Sequence, residues 1–122
     1  MFEARGSNEI ILKLFQIYES ASGGRVDALA VWKAIAAYSC GPVKPKFRFY
    51  VLSDYNPEKP DGEYLEDVGR LIEGRKVDAL LDGSLRLTGL GRLTAIATRL
   101  PESLDPLGEK IREMARGCKN SA

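Results

Sequence analysis

The stretch Lys76-Val77-Asp78-Ala79-Leu80-Leu81-Asp82-Gly83-Ser84-Leu85-Arg86-Leu87-Thr88 is where the chain changes its periodicity. Upstream, apolar residues recur at helical intervals; here they fall into the two-residue period of a strand with one buried face. Asp82-Gly83 is the turn signal. A three-residue turn through Ser84 puts Val77, Ala79 and Leu81 on one face with Leu85 and Leu87, whereas a two-residue turn does not line them up. The spacing therefore predicts a β-hairpin with the longer loop.

Working outward, the flanks read mainly as helix. Ser7 is a candidate N-cap for a first helix near residues 8–21, with Ile10, Ile11, Leu14, Phe15, Ile17 and Tyr18 on a broad apolar face and Gly23-Gly24 as the stop. Asp27 caps a second helix carrying Leu29, Trp32, Ile35, Ala36 and Tyr38. Lys33 is its only charge, so this helix is expected to be the central one, ending near Gly41-Pro42. Residues 43–60 differ: Lys44, Lys46 and Arg48 alternate with apolar positions among the strand formers Phe47, Phe49, Tyr50, Val51 and Leu52, which predicts a short strand or extended segment. After Pro57 and Pro60, Asp61 caps a third helix whose buried stripe reads as Leu65, Val68, Leu71 and Ile72, with Gly74 at its end. Beyond the hairpin, Thr88 caps a fourth helix with Leu90, Leu93, Ile96, Ala97 and Leu100 before Pro101. Asp105-Pro106 then opens a fifth with Leu107, Ile111 and Met114 on one side. Residues 1–117 are expected to form one domain and 118–122 a frayed tail.

The order helix, short Arg25-Val26 extension, helix, helix, hairpin, closing helix resembles that of winged-helix domains, the helix-turn-helix variants that carry a β-wing. Arg70-Leu71-Ile72-Glu73-Gly74 followed by Leu85-Arg86-Leu87-Thr88-Gly89-Leu90-Gly91 is similar to a passage of small prokaryotic winged-helix regulators. The resemblance implies an α+β winged helix-turn-helix with an insertion between its second and third helices and extra C-terminal helices. It further implies a non-enzymatic, homodimeric regulator of transcription that binds double-stranded DNA. The segment from Gly41 to Pro60 departs from the plain pattern. Its Phe47, Phe49, Tyr50 and Tyr55, followed by an acidic helix, resemble Panacea-type antitoxin-associated domains, which hold an aromatic insertion at the same place.

Composition narrows the chemistry. The 122 residues are 44% hydrophobic and 29% charged with a formal net charge of +1, the profile of an ordinary globular protein without a strong pull on polyanions. The charge is unevenly spread: residues 61–83 carry three positive and seven negative side chains, and residues 84–122 carry seven and four. Histidine is absent, and Cys40 and Cys118 are the only cysteines, which argues against structural zinc, triad catalysis and any cofactor held by such residues. Nothing resembles a signal peptide and no apolar run reaches membrane-spanning length, so the expected location is cytoplasmic, with no membrane partner.

The candidate DNA contacts are Lys44, Lys46 and Arg48 on the insertion, Arg70 on the third helix, Arg75 and Lys76 before the hairpin, Arg86 on it and Arg92 beyond, with Arg99 further on. The ordinary alternative for each is a solvated surface charge. In a standard winged helix the third helix enters the major groove, yet here its exposed positions read as Glu63, Glu66, Asp67 and Arg70, a poor match for phosphates. That acidic helix and the aromatic insertion point to an alternative, a protein-interaction module on the same frame. Asp61, Glu63, Glu66 and Asp67 form a carboxylate cluster of the kind a metal-dependent nuclease uses, although acidic residues in a first helical turn also serve as cap and dipole partners. Leu107, Ile111 and Met114 are candidates for a dimer interface, with packing on the chain's own core equally open.

Overall fold

The computed structural model describes residues 2–4, 6–39 and 58–120. The protein is α+β and mostly helical, with five α-helices and a two-stranded antiparallel ribbon among the described residues. The elements are β1 (Phe2–Glu3), α1 (Ser7–Ser22), α2 (Ala28–Ser39), α3 (Gly62–Glu73), β2 (Val77–Ala79), β3 (Leu85–Leu87), α4 (Gly89–Ile96), β4 (Thr98–Arg99) and α5 (Asp105–Asn120), the last preceded by a 3-10 turn at Glu102–Leu104. The insertion expected to be extended lies outside the described residues, as do Lys44, Lys46 and Arg48.

Local chemistry sets most of the boundaries. The Asp27 carboxylate accepts from Leu29 N (3.0 Å) and Ala30 N (3.2 Å), Asp61 accepts from Glu63 N (3.2 Å), and the Thr88 hydroxyl accepts from Gly91 N (3.0 Å). Each satisfies helical N–H groups that have no intrahelical acceptor. Helix α1 differs from expectation: its N-cap is Gly6, one residue before Ser7, with no side-chain hydrogen bond. At its other end Gly23 takes the left-handed conformation (φ 92°) that terminates a helix without steric penalty for glycine.

The central helix is α1 rather than α2. It buries Ile10, Ile11, Leu12, Leu14, Phe15, Ile17, Tyr18 and Glu19, nearly all round its circumference, and packs against all four other helices and the ribbon. Helix α2 lies to one side, against α1 and α5, burying Val31, Trp32, Ala34, Ile35 and Ala36. Trp32 meets Tyr64 of α3 with ring centroids 5.5 Å apart, and the Tyr64 hydroxyl donates to the Ala28 carbonyl at 2.6 Å, joining α3 to the start of α2. Burial raises the Tyr64 phenol above its ordinary value, with the Asp27 charge adding to the effect, so it is a neutral donor at neutral pH.

The ribbon pairs Val77 with Leu87, Asp78 with Arg86 and Ala79 with Leu85. The loop is three residues long, as expected, but it is Leu81-Asp82-Gly83, closed by Leu80 N donating to Ser84 O (2.9 Å). Leu81 therefore sits at the loop tip, fully exposed, instead of on the buried face with Val77, Leu85 and Leu87. Gly83 (φ 87°) supplies the positive φ that this tight loop requires. A single antiparallel bridge joins Val26, between α1 and α2, to Leu85, adding a short third edge to the ribbon.

Helix α4 ends at Ile96, earlier than the run to Leu100 implies. The chain continues as a strand in which Thr98 and Arg99 pair in parallel with Phe2 and Glu3, and Ala4 N donates to Arg99 O (2.9 Å). Helix α5 continues to Asn120, past the Gly117 boundary drawn for the tail. Leu107 and Ile111 are buried, and Met114 is packed partly against the same core. Of the two places left open for this stripe, the chain's own interior covers Leu107 and Ile111 fully and Met114 in part, where α5 packs along α1.

Gly91 fixes how α4 meets the ribbon. A Cβ there would lie 1.9 Å from the Lys76 carbonyl oxygen, an impossible contact with backbone that has nowhere to go. Gly91→Ala is expected to destabilise the fold by about 3 kcal/mol, the upper end for overpacking. Gly69, mid-helix in α3 with nothing within 4 Å, should behave oppositely: Gly69→Ala gains roughly 0.5–1 kcal/mol from helix propensity. Urea unfolding of the two variants checks both, and a neutral Gly91→Ala would show that α4 does not sit this close.

Candidate interaction surface

Helix α3 was expected to bury Leu65, Val68, Leu71 and Ile72. It buries Tyr64, Asp67 and Leu71 instead, with Val68 partly covered, and leaves Leu65 54% and Ile72 37% exposed. The reason is the Tyr64 ring: once it is packed at a tilt against Trp32 and hydrogen-bonded to Ala28, the helix is rotated so that the Tyr64-Asp67-Leu71 row faces in. The buried Asp67 carboxylate is faced by Arg70 Nη1 at 3.6 Å, while Asn8 Nδ2 donates to the Asp67 backbone carbonyl at 3.0 Å. The outward face is a row of Leu65, Gly69 and Ile72 with Glu66 and Glu73 along its edge.

Helix α4 repeats the pattern. Its buried edge is made of Gly91 and Ala95, and its large residues Leu90, Leu93 and Ile96 are 54%, 71% and 58% exposed. At Gly91 the helix lies against the Lys76 backbone, where no side chain fits, and Ala95 is buried one turn further on. Leu90, Leu93, Ile96 and Ala97 thus form one contiguous aliphatic patch on the outside. Apolar residues scattered singly on a surface are ordinary; rows of them on two helices are not.

The basic candidates divide. Arg70 is bound within its own helix to Glu66 (3.8 Å) and Asp67 (3.6 Å), so it adds no free cation to the α3 surface. Arg86 is exposed on the outer face of the ribbon. Arg75, left-handed at φ 58°, and Lys76 lie at the base of the ribbon beside the start of α4, where Thr88 donates to the Arg75 carbonyl (2.6 Å). Arg92 has a structural role: its Nε donates to Glu19 Oε1 at 2.7 Å, and Arg99 pairs with Glu3 at 3.3 Å. The structure thus brings Arg75, Lys76, Arg86 and Arg92 to the neighbourhood of α4 and leaves Arg70 apart on an acidic helix.

Glu19 was missed in the sequence. It is 8% exposed, and its carboxylate accepts from both Leu87 N (2.8 Å) and Arg92 Nε, joining α1 to β3 and α4. A signal existed: Glu19 continues the row Ile11, Phe15 at four-residue spacing, so it had to face inward with them.

Two open grooves flank these elements. The larger, about 1390 Å³ between α1 and α5, holds Lys13, Arg99 and Arg112 alongside Glu3 and Glu109. Three of its cations have partners within the chain: Lys13 donates to Ala95 O (3.1 Å), Arg99 pairs with Glu3, and Arg112 pairs with Glu109. Burial, with Arg112 nearby, lowers the Lys13 ammonium from its ordinary value. The smaller, about 1040 Å³, lies between the α1–α2 turn and the ribbon loop and is spanned by an Arg25–Asp82 ion pair. Hydrogen bonds from Ser84, with help from Arg25, hold the exposed Asp82 carboxyl below its usual range.

Among the described residues, no group of three or more cysteine, aspartate or glutamate side chains is placed to hold a metal ion. No helix among them is long and apolar enough to cross a membrane. The chain matches no protein-family model, no curated protein and no solved structure.

Because Glu19 answers a buried backbone N–H as well as a guanidinium, Glu19→Ala is expected to destabilise by roughly 3 kcal/mol. Glu19→Gln, whose amide oxygen still accepts from Leu87 N, should lose clearly less. Equal losses in chemical denaturation would mean that the backbone contact contributes nothing.

Proposed function

We propose that this protein is a non-enzymatic protein-interaction module built on a winged-helix frame. The frame is supported by the order α1, Val26 bridge, α2, α3, ribbon, α4, and by the ribbon leaving directly after the third helix. The single observation that carries the interaction reading is that α3 and α4 turn Leu65, Ile72, Leu90, Leu93 and Ile96 to solvent while the core closes without them. Such rows are depleted on the surfaces of monomers that bind nothing and are typical of recognition patches. The position where a winged-helix regulator presents its groove-reading residues instead carries Glu63, Glu66, Leu65 and Ile72, which suits a protein and opposes a phosphate backbone.

A photo-crosslinking residue placed at Leu65 or at Leu93, in cells that express the protein, is expected to trap a partner chain. The same residue at the exposed Glu113 of α5 should trap far less. Equal adducts at all three positions, or none, would remove the reading.

The DNA-binding reading keeps one observation in its favour, the grouping of Arg75, Lys76 and Arg86 at the ribbon. It requires binding to duplex DNA that weakens steeply with salt and is lost in Arg75→Glu/Lys76→Glu/Arg86→Glu. The interaction reading predicts that fluorescence anisotropy shows no such salt-steep binding.

A further inference from the structure

A cluster of charge separate from the exposed rows lines the groove between α1 and α5. Arg112 and Arg116, four residues apart and so on one face of α5, both line it together with Lys13 of α1. Glu109 answers Arg112, but among the described residues neither Lys13 nor Arg116 has an ion-pair partner, and Lys13 donates to the neutral Ala95 carbonyl. Burial, and then the Arg112 charge, lower the Lys13 ammonium from its ordinary value, as expected of a half-buried cation beside a like charge. A Cβ on Gly108 would lie 3.6 Å from Ile17 Cδ1, while Lys13, one turn earlier on α1, feels Arg112, one turn later on α5. The helices therefore run antiparallel, and the three cations share one end of the groove. Asp105, at the start of α5, lies roughly 10 and 16 Å along the axis from Arg112 and Arg116, at or beyond the screening length in physiological salt. The Arg99–Glu3 pair adds no net charge. Three cations thus face one carboxylate, Glu109, which leaves this end with two positive charges unanswered.

From this we infer that the α1–α5 groove binds a small phosphate monoester, its head among Lys13, Arg112 and Arg116 and its organic body along the floor of Ile17, Leu100 and Gly108. The site is separate from the α3 and α4 rows and does not rest on the interaction reading. A phosphate monoester carries close to two negative charges at neutral pH and three strong acceptor oxygens, which matches the two unanswered charges where a single carboxylate would not. Guanidinium groups suit it, because each offers five N–H donors in a planar fork, and Arg112 keeps donors beyond the one it gives Glu109. That pair is solvent-exposed on the Glu109 side and gives way at little cost. Gly108 keeps the floor shallow, since a side chain there would press on Leu100, whose Cδ1 lies 3.1 Å from the Cβ position. A groove of about 1390 Å³ has room for more than the head group.

The experiment is amide NMR of the full chain titrated with phenyl phosphate at neutral pH. Signals are expected to shift around Lys13 and Ile17 on α1 and from Gly108 to Arg116 on α5. Inorganic phosphate should give the same pattern more weakly, because it leaves the apolar floor bare. Arg116→Gln, at an exposed position where folding is spared, should weaken binding by about tenfold, the scale of one charge-assisted hydrogen bond. Arg86→Gln on the ribbon should leave binding unchanged. Bound phosphate should also raise the Lys13 ammonium back toward its ordinary value, followed through its side-chain signals. No binding at millimolar phenyl phosphate, shifts confined to other parts of the chain, or equal affinity in Arg116→Gln overturns the proposal. Vesicles that contain phosphatidic acid separate a lipid head group from a free monoester: cosedimentation that Arg116→Gln abolishes would overturn the small-molecule assignment, and its absence is the expected result.

Discussion

The approach of α4 to the backbone of Lys76 is the constraint from which the surface of this protein follows. A helix that comes this close to a neighbouring carbonyl can present only glycine at that point, and here Gly91 occupies it, with the small Ala95 one turn on along the same buried edge. Once the small residues face in, the helical repeat sends Leu90, Leu93 and Ile96 out. The exposed patch is therefore a geometric result of close packing, with the apolar content of α4 displaced from the core to the surface.

That approach is held in place by polar groups. Glu19 reaches from the central helix to the Leu87 amide and the Arg92 guanidinium, and Thr88 links the Arg75 carbonyl to the first turn of α4. A buried carboxylate is tolerable when its lone pairs are answered, and these contacts answer it while fixing the angle of α4 against the ribbon. On the other side, the Trp32–Tyr64 contact and the Tyr64–Ala28 hydrogen bond rotate α3 so that Asp67 faces in and Leu65 faces out. Two separate devices thus turn apolar rows outward on helices that both pack on α1.

Much of this architecture was legible in the sequence, and the failures share a cause. Asp27, Asp61 and Thr88 announced three helix starts because a capping side chain acts on its own next two or three residues. The ribbon was legible from Asp82-Gly83 and the change of period, and its parity was right, while the pairing itself was displaced so that Leu81 fell into the loop. The inward faces of α3 and α4 were misread because periodicity weighs large apolar residues most. Tyr64 and Asp67, and then Gly91 and Ala95, were selected by contacts with distant parts of the chain that no local pattern contains. Arg92 read as a free cation for the same reason, since its partner Glu19 lies 73 residues away in sequence. The Leu107, Ile111 and Met114 stripe was visible, but which neighbour covers it was settled only by α1.

The central claim, that the large aliphatic residues of α4 face water in the single chain, can be tested directly by methyl NMR with a soluble paramagnetic agent in dilute protein. The Leu90, Leu93 and Ile96 methyl signals are expected to broaden strongly while those of Leu87, Leu107 and Ile111 stay sharp. Leu93 methyls as protected as those of Ile111 would contradict it.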